Sequence, residues 1–326
     1  MRAFWYKKAG SASDVINYGE LPEPAPRTGE VRIKLSVSAI NPTDCKRREL
    51  GRELGKFNLI VPNNDGAGVI DSIGDGVDSK RIGQRVWLFG AQANRPFGTA
   101  AEYCVVPNSY AINLPDTESF YNGACLGVPA VTAHRALFAD GNIDGLTILI
   151  TGGAGRVGRY AVQMAKNAGA KVISTAGSKE KCLHIKKLGA DFVFNYQTND
   201  IQSEVSEITQ GKGVDRMVDV AFDTNVGTAH NLIKVNGCLT AYNMIGADYP
   251  KFPFLEFMYK NISIKPFSIY TMPEKDKSAA FLYIDQMLRS GSLVHLIEKK
   301  FPFNEMISAH EAIESKKIFG CCLVNI

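Results

Sequence analysis

The sequence predicts an α/β chain in which a doubly wound parallel sheet is inserted into a discontinuous, β-rich domain. Three observations carry this. A glycine-rich turn at 151–158 (TGGAGRVG) lies between an apolar run and a helix-like segment. From about residue 124 onward, strand-like and helix-like stretches alternate. A final strand-like stretch, 320–326, follows this alternating region and needs a partner outside it.

In order along the chain, residues 1 to about 122 read as β-rich. Val31, Ile33, Leu35 and Val37 alternate with Arg32, Lys34, Ser36 and Ser38, which predicts a strand with one apolar face. Short strand-like runs recur between glycine turns at 65–68, 74–76, 83 and 98, as in a small barrel or sandwich. Strands are then expected at 146–151, 171–175, 191–194, 215–220, 237–242 and 262–267. Helices are expected at 156–168, 178–188, 199–209 and 225–235. This alternation means a parallel sheet of the Rossmann type. Two further helical pieces, 278–289 and 304–315, precede the last strand, which is expected to return to the first domain. The boundaries that follow are 1–123 plus 268–326 for one domain and 124–267 for the other.

Strand, glycine turn and helix form the context of a dinucleotide site. Gly153 is expected to take the tight turn, Gly155 to let the backbone approach a pyrophosphate, and Gly158 to let the helix pack closely. The helix N-terminus offers free N–H groups and a partial positive charge to phosphates. An NAD site places an acid at the end of the second strand to hold the ribose 2′-hydroxyl. Here Ala176 stands there, followed by Gly177, Ser178, Lys179 and Lys181. The missing acid and the serine–lysine pair favour the 2′-phosphate of NADPH. Tyr242 and Asn243 follow the fifth strand at its C-terminal edge, where ligands sit in open α/β sheets.

The 326 residues are 45% hydrophobic and 21% charged, enough for two cored domains and no disordered segment. A net charge of +4 requires neither nucleic acid nor a membrane surface as partner. The basic cluster Lys46, Arg47, Arg48, Arg52 and Lys56 is interrupted by Glu49 and Glu53 and reads as a solvated face. No basic-then-apolar signal stands in residues 1–30, and no apolar run has membrane-spanning length. The seven cysteines are scattered, without a C-x-x-C pair. A soluble, cytosolic chain with reduced thiols is therefore expected.

Several segments together resemble the medium-chain dehydrogenase/reductase superfamily, specifically its zinc-free quinone oxidoreductase branch, which includes the zeta-crystallins. These are Asn41-Pro42-Thr43-Asp44, Asp65-Gly66-Ala67-Gly68-Val69-Ile70, the stretch from Gly127 through Thr132-Ala133, the glycine turn with Ala161 to Lys166, Leu188-Gly189-Ala190-Asp191, and Asn195-Tyr196. The resemblance implies a GroES-like barrel as the catalytic domain around the inserted Rossmann domain. In zinc-dependent members, the catalytic ligands fall at positions matching Asn41, Asn64 and Val128, and none of these residues is a usual zinc ligand. The lobe that carries structural zinc is reduced here to residues 90–98, without cysteine. No metal is expected, and Cys45 reads as a buried thiol.

By the same resemblance, Asn41, Asp44, Asn64 and Thr132 are the candidate catalytic residues. Asn41 has two open readings: a turn-forming residue before Pro42, or a donor to a carbonyl oxygen as charge develops there. The cofactor set is Gly153, Gly155, Arg156, Val157, Gly158, Gly177, Ser178, Lys181, Tyr196, Tyr242, Asn243 and Lys316. Lys181, Tyr196 and Lys316 match contacts to the 2′-phosphate. Two departures stand out: Arg156 replaces a signature glycine, and basic residues, Lys46 and Arg52, occupy the region of the family's cleft tyrosines. The five histidines form no catalytic relay.

The implied activity is metal-free hydride transfer from NADPH to a quinone. The alternatives are an alkenal or enone double-bond reductase and a non-catalytic NADPH- or RNA-binding protein. A homodimer is expected, because the last Rossmann strand would otherwise be an open edge.

Overall fold

Two stretches far apart in sequence build one unit, 1–129 with 281–326, and residues 130–280 build the other. The structure, a computed structural model, describes residues 1–246 and 249–326. The first unit begins with β1 (Arg2–Trp5) and β2 (Asn17–Glu20), an antiparallel pair flanking the short helix α1 (Ala12–Val15). The long strand β3 (Glu30–Ile40) leads into α2 (Pro42–Glu49). Then come β4 (Asp65–Ile73), β5 (Arg85–Leu88), β6 (Tyr103–Pro107), β7 (Ala111–Asn113) and α3 (Phe120–Ala124), after which α4 (Gly127–Phe138) runs on into the second unit.

In β3 the expected apolar face holds, with Val31, Ile33, Leu35 and Val37 all buried. Ser38 departs from expectation and is fully buried rather than outward. The β3–β4 register shifts between Leu35 and Val37, and the Ser38 hydroxyl meets Thr99 Oγ1 at 2.7 Å.

The second unit is the parallel sheet. Its strands are β8 (Thr147–Ile150), β9 (Lys171–Ala176), β10 (Phe192–Asn195), β11 (Val214–Asp219), β12 (Ile233–Ala241) and β13 (Ser263–Pro266). Its helices are α5 (Arg156–Asn167), α6 (Lys179–Lys187), α7 (Ile201–Thr209), α8 (Phe222–Leu232) and α9 (Phe254–Tyr259). The strands lie in the order β10-β9-β8-β11-β12-β13, all parallel. Counted from β8 this is the 3-2-1-4-5-6 order of a doubly wound sheet. Sequence reasoning runs the fourth helix to residue 235, but it ends at Leu232. The β-branched Ile233 and Val235 continue β12 instead, and Asn236 takes a left-handed φ of 61°.

Helix α10 (Glu274–Arg289) leads back into the first unit, followed by β14 (Ile297–Phe301), α11 (Met306–Glu314) and β15 (Cys321–Asn325). β15 inserts between β14 and β3, antiparallel to β3 with Leu323 opposite Ala39. Phe4, Tyr6, Val15, Ile40, Ile60, Met306, Ile313 and Val324 share one core cluster, so both ends of the chain bury one another.

A polar clamp accompanies that core. Arg48 is buried, contrary to its reading as part of a solvated basic face. Its guanidinium donates to Gly10 O (3.1 Å) and His310 Nδ1 (2.9 Å) and forms an ion pair with Glu314. Nδ1 accepts, so the His310 imidazole is neutral with its proton on Nε2. Burial, reinforced by Arg48, pushes the His310 pKa down to about 3. The Cys45 thiol lies 3.5 Å from the same Nδ1, and Cys45 is buried as expected.

Two outcomes follow from the clamp. Arg48→Met leaves buried acceptors without their donor, and the urea midpoint of the intact chain should fall by the equivalent of about 3 kcal/mol. His310 titrates near 6.5 in the unfolded chain, so between about pH 6.5 and 3 the unfolded state binds a proton that the folded state does not. Its contribution is thus present above the unfolded pKa and lost as pH falls, by up to about 1.4 kcal/mol per pH unit. Denaturant titrations from pH 7 to 4 should show a weaker acid loss in His310→Gln than in the parent chain.

Candidate functional site

The second unit supplies a cradle at the C-terminal edge of its sheet. Gly152 takes the left-handed turn (φ +63°), correcting the assignment of that role to Gly153. Gly153 allows close approach: a Cβ there would lie 2.0 Å from Ser174 Oγ. A Cβ on Gly158 would lie 2.4 Å from Gly152 O, so α5 packs on the turn itself. Gly155 caps α5, while Arg156 and Val157 are half-buried in its first turn. Helix α5 thus starts at the turn, where helix N-terminal N–H groups favour a phosphate.

The turn is tied to β11 through Thr151. Its hydroxyl donates to Asp219 Oδ1 at 2.7 Å and accepts from Val220 N at 3.1 Å. Asn225 Nδ2 donates to the same Asp219 oxygen at 2.7 Å. A cavity of about 570 Å³ opens beside the turn, lined by Gly152, Thr175, Tyr196, Asp200, Thr224 and Asn225 among others. Asp219, the last residue of β11, and Asp200, the N-cap of α7, are not among the residues the sequence marks as site residues.

Around the end of β9, Ala176 is buried and Ser178 caps α6, its hydroxyl accepting from Lys181 N at 3.3 Å. The exposed Tyr196 brings its hydroxyl over Gly177, where a Cβ would lie 2.5 Å from it. The structure thus brings Gly177, Ser178, Lys181 and Tyr196 together. Tyr242 and Asn243 follow β12, with Asn243 O accepting from Phe222 N at 3.2 Å. Burial, and after it Asp219, raise the Tyr242 phenol well above its ordinary pKa. Lys316 lies in the first unit, exposed, just after α11. Thr132 is buried on α4.

The first unit holds a buried polar cluster. Asn41 caps α2, with Pro42 at its first position. Asn41 N donates to Asp44 Oδ2 at 2.8 Å. Asn41 Nδ2 donates to Asp65 Oδ2 at 2.6 Å, and Asn64 Nδ2 donates to Asp44 Oδ1 at 2.6 Å. Two crossed amide–carboxyl bonds therefore clasp the start of α2 to the start of β4. Val128 N, in the first turn of α4, donates to both Asp65 oxygens at 2.8 and 3.0 Å. Burial raises the Asp44 pKa. Burial, and after it the charge of Asp44, raise that of Asp65 well above the carboxylate range. In sequence Asp65 stands out only as part of a hairpin; its place in the cluster depends on contacts with residues 41 and 128.

The three positions compared with zinc ligands thus do converge, but they bring two amides and a valine. The amide nitrogens are committed as donors to carboxyls, and neither an amide nor a valine is a usual zinc ligand. Among the described residues, one Cys/His/acid trio has its ligand atoms within 4.8 Å: Cys45, His310 and Glu314. Two of its three members already hold the Arg48 guanidinium. The first place lacks zinc-type donors, and at the second the cationic Arg48 guanidinium occupies two of the three.

The basic segment is also smaller than its composition. Arg48 is buried, and Arg47 pairs with Glu53 at 2.5 Å, leaving Lys46, Arg52 and Lys56 exposed. The surface that would support RNA binding shrinks accordingly. Among the described residues, no helix is long and apolar enough to cross a membrane.

Comparison with known proteins agrees with this architecture. Residues 27–116 match the model of the alcohol dehydrogenase GroES-like domain, and residues 157–283 that of the zinc-binding dehydrogenases. Rat quinone oxidoreductase is 28% identical over 316 residues, 96% of this chain and 94% of that protein. The structure of Escherichia coli quinone oxidoreductase complexed with NADPH superposes with a TM-score of 0.87 at 23% identity, covering both chains completely. An NAD-dependent alcohol dehydrogenase superposes with a TM-score of 0.88 at 26% identity, also over both whole chains. The chain belongs to the medium-chain dehydrogenase/reductase superfamily, in its quinone oxidoreductase branch.

Proposed function

We propose that this protein is an NADPH-dependent oxidoreductase that reduces quinones by direct hydride transfer without a metal. The observation that carries the cofactor choice is the end of β9. No acid stands there to repel a 2′-phosphate, the Tyr196 hydroxyl lies over Gly177, and Ser178 and Lys181 follow at the start of α6. The glycine turn and the α5 N-terminus hold the pyrophosphate, with Gly153, Gly155, Arg156, Val157 and Gly158 as its backbone. Tyr242 and Asn243 complete the cofactor set from the edge of β12, and Lys316 adds a further cation for the 2′-phosphate.

A bound nicotinamide supplies the hydride from its ring C4. The chain supplies binding, orientation and a site without a Lewis acid. A quinone is electrophilic enough to need none, and water provides the protons. Asn41, Asp44, Asn64 and Thr132 serve the acceptor. Asn41 has a second amide N–H beyond the one given to Asp65, and we assign it to the acceptor oxygen that gains charge. The protein is proposed to act in the cytoplasm as a homodimer. Strand β13 pairs with β12 on one side alone among the described residues. The exposed Phe254, Leu255, Met258 and Tyr259 immediately precede it.

Turnover is read from nicotinamide absorbance with NADPH and NADH, against a simple quinone and a simple enone. NADPH with quinone should give the highest kcat/KM; turnover of the enone alone moves the protein to the double-bond reductases. Tight NADPH binding without any turnover removes the enzymatic reading. Lys181→Ala should raise the KM for NADPH roughly tenfold and leave that for NADH within twofold. Equal effects on both cofactors would contradict the 2′-phosphate assignment.

A further inference from the structure

The geometry points to Asp65 as a positioning residue that fixes which way Asn41 presents its amide; this assignment rests on the oxidoreductase reading above. The Asp65 carboxyl has one place to be. Val128 N reaches both of its oxygens, at 2.8 and 3.0 Å. A Cβ on Gly127 would lie 2.0 Å from Oδ1 and 2.4 Å from Cγ, so the carboxyl occupies the volume that any other side chain would take. The backbone is held as well: Asp65 O accepts from Thr99 Oγ1 at 2.7 Å, and Asp65 faces Ala39 in the β3–β4 ladder.

A side-chain amide has two faces of nearly equal shape, one donating and one accepting. A neutral amide partner at position 65 accommodates either orientation of Asn41. The Asp65 carboxyl meets Asn41 with an oxygen that accepts, and both its oxygens accept from Val128 N as well, so it selects the orientation with Nδ2 turned toward it, as in the 2.6 Å bond observed. One Asn41 N–H is then spent on Asp65, and the second N–H and Oδ1 acquire defined directions.

The companion pair shows the same selection. Asp44 takes Nδ2 of Asn64 at 2.6 Å, and Asn64 Oδ1 is left buried with no hydrogen-bond partner. That orphaned carbonyl costs free energy, so the acid dictates the Asn64 orientation against its other surroundings.

The test has two arms. In the first, Asp65→Asn should lower kcat with quinone at least about tenfold while the KM for NADPH stays within twofold. The double variant Asn41→Asp/Asp65→Asn restores a donor–acceptor pair, so it should recover the unfolding midpoint lost in Asp65→Asn. It has no amide at position 41, so kcat should stay low. Unchanged kcat in Asp65→Asn, or kcat recovered in the double variant, overturns the assignment.

The second arm needs no turnover. In [15N]asparagine-labelled parent protein, the Asn41 side-chain amide, identified by its loss in Asn41→Asp, should give one strongly downfield, exchange-protected N–H. In Asp65→Asn that signal should move upfield or split. An ordinary, rapidly exchanging Asn41 amide in the parent chain overturns the assignment even if the variants do not fold. If the parent turns over no acceptor, the oxidoreductase reading falls while this signal still decides the role of Asp65.

Discussion

The pairing of β15 with β3 is the constraint on which the first unit depends. It joins segments whose clamp residues, Cys45 and His310, are 265 positions apart, with the whole parallel sheet between them. The entropy of closing a loop grows only with the logarithm of its length, so an inserted domain adds little to the cost of that closure. The return is a shared core. Phe4 and Tyr6 from the N-terminal hairpin, and Met306, Ile313 and Val324 from the C-terminal segment, are buried only when both ends are in place. Helix α2 sits at this junction. Its outer end is held to α11 by Arg48, and its first turn carries Asn41 and Asp44. The position of Asn41 and Asp44 is therefore set by the closure of the fold.

The chemistry of that first turn is a balance of buried charge and amide donors. Two carboxyls out of water would be costly without partners. Each has an amide donor at 2.6 Å, and backbone N–H groups of Asn41 and Val128 add to these. Zinc-dependent members of the superfamily place metal ligands at the positions of Asn41 and Asn64. Here the same positions orient amides. A site of this kind has hydrogen-bond donors for developing negative charge but nothing to acidify an alcohol, which suits an acceptor that is already electrophilic.

The parts of the fold legible in sequence are those where local pattern and tertiary role coincide. The alternation in β3, the glycine turn and the βα repeats each announce themselves within about 15 residues, and the doubly wound order follows from them. The finer errors have local causes. Gly152 rather than Gly153 takes the left-handed turn because the second glycine is needed for the approach to Ser174. Arg48 lies in a run of basic residues and looks solvated; its partners, Gly10, His310 and Glu314, come from three other segments. Asp65 is likewise silent in sequence, because its role comes from Asn41, Gly127 and Val128 converging on one carboxyl. Long-range polar contacts have no periodicity, and for that reason the clamp and the clasp emerge only in three dimensions.

Hydride transfer at Asn41 and Asn64 without a metal is decided by turnover of NADPH with quinone after exhaustive chelation, with zinc measured by elemental analysis on the same sample. The rate should be undiminished at far less than one zinc per chain. A rate that collapses on chelation and returns with stoichiometric zinc would rule metal-free transfer out.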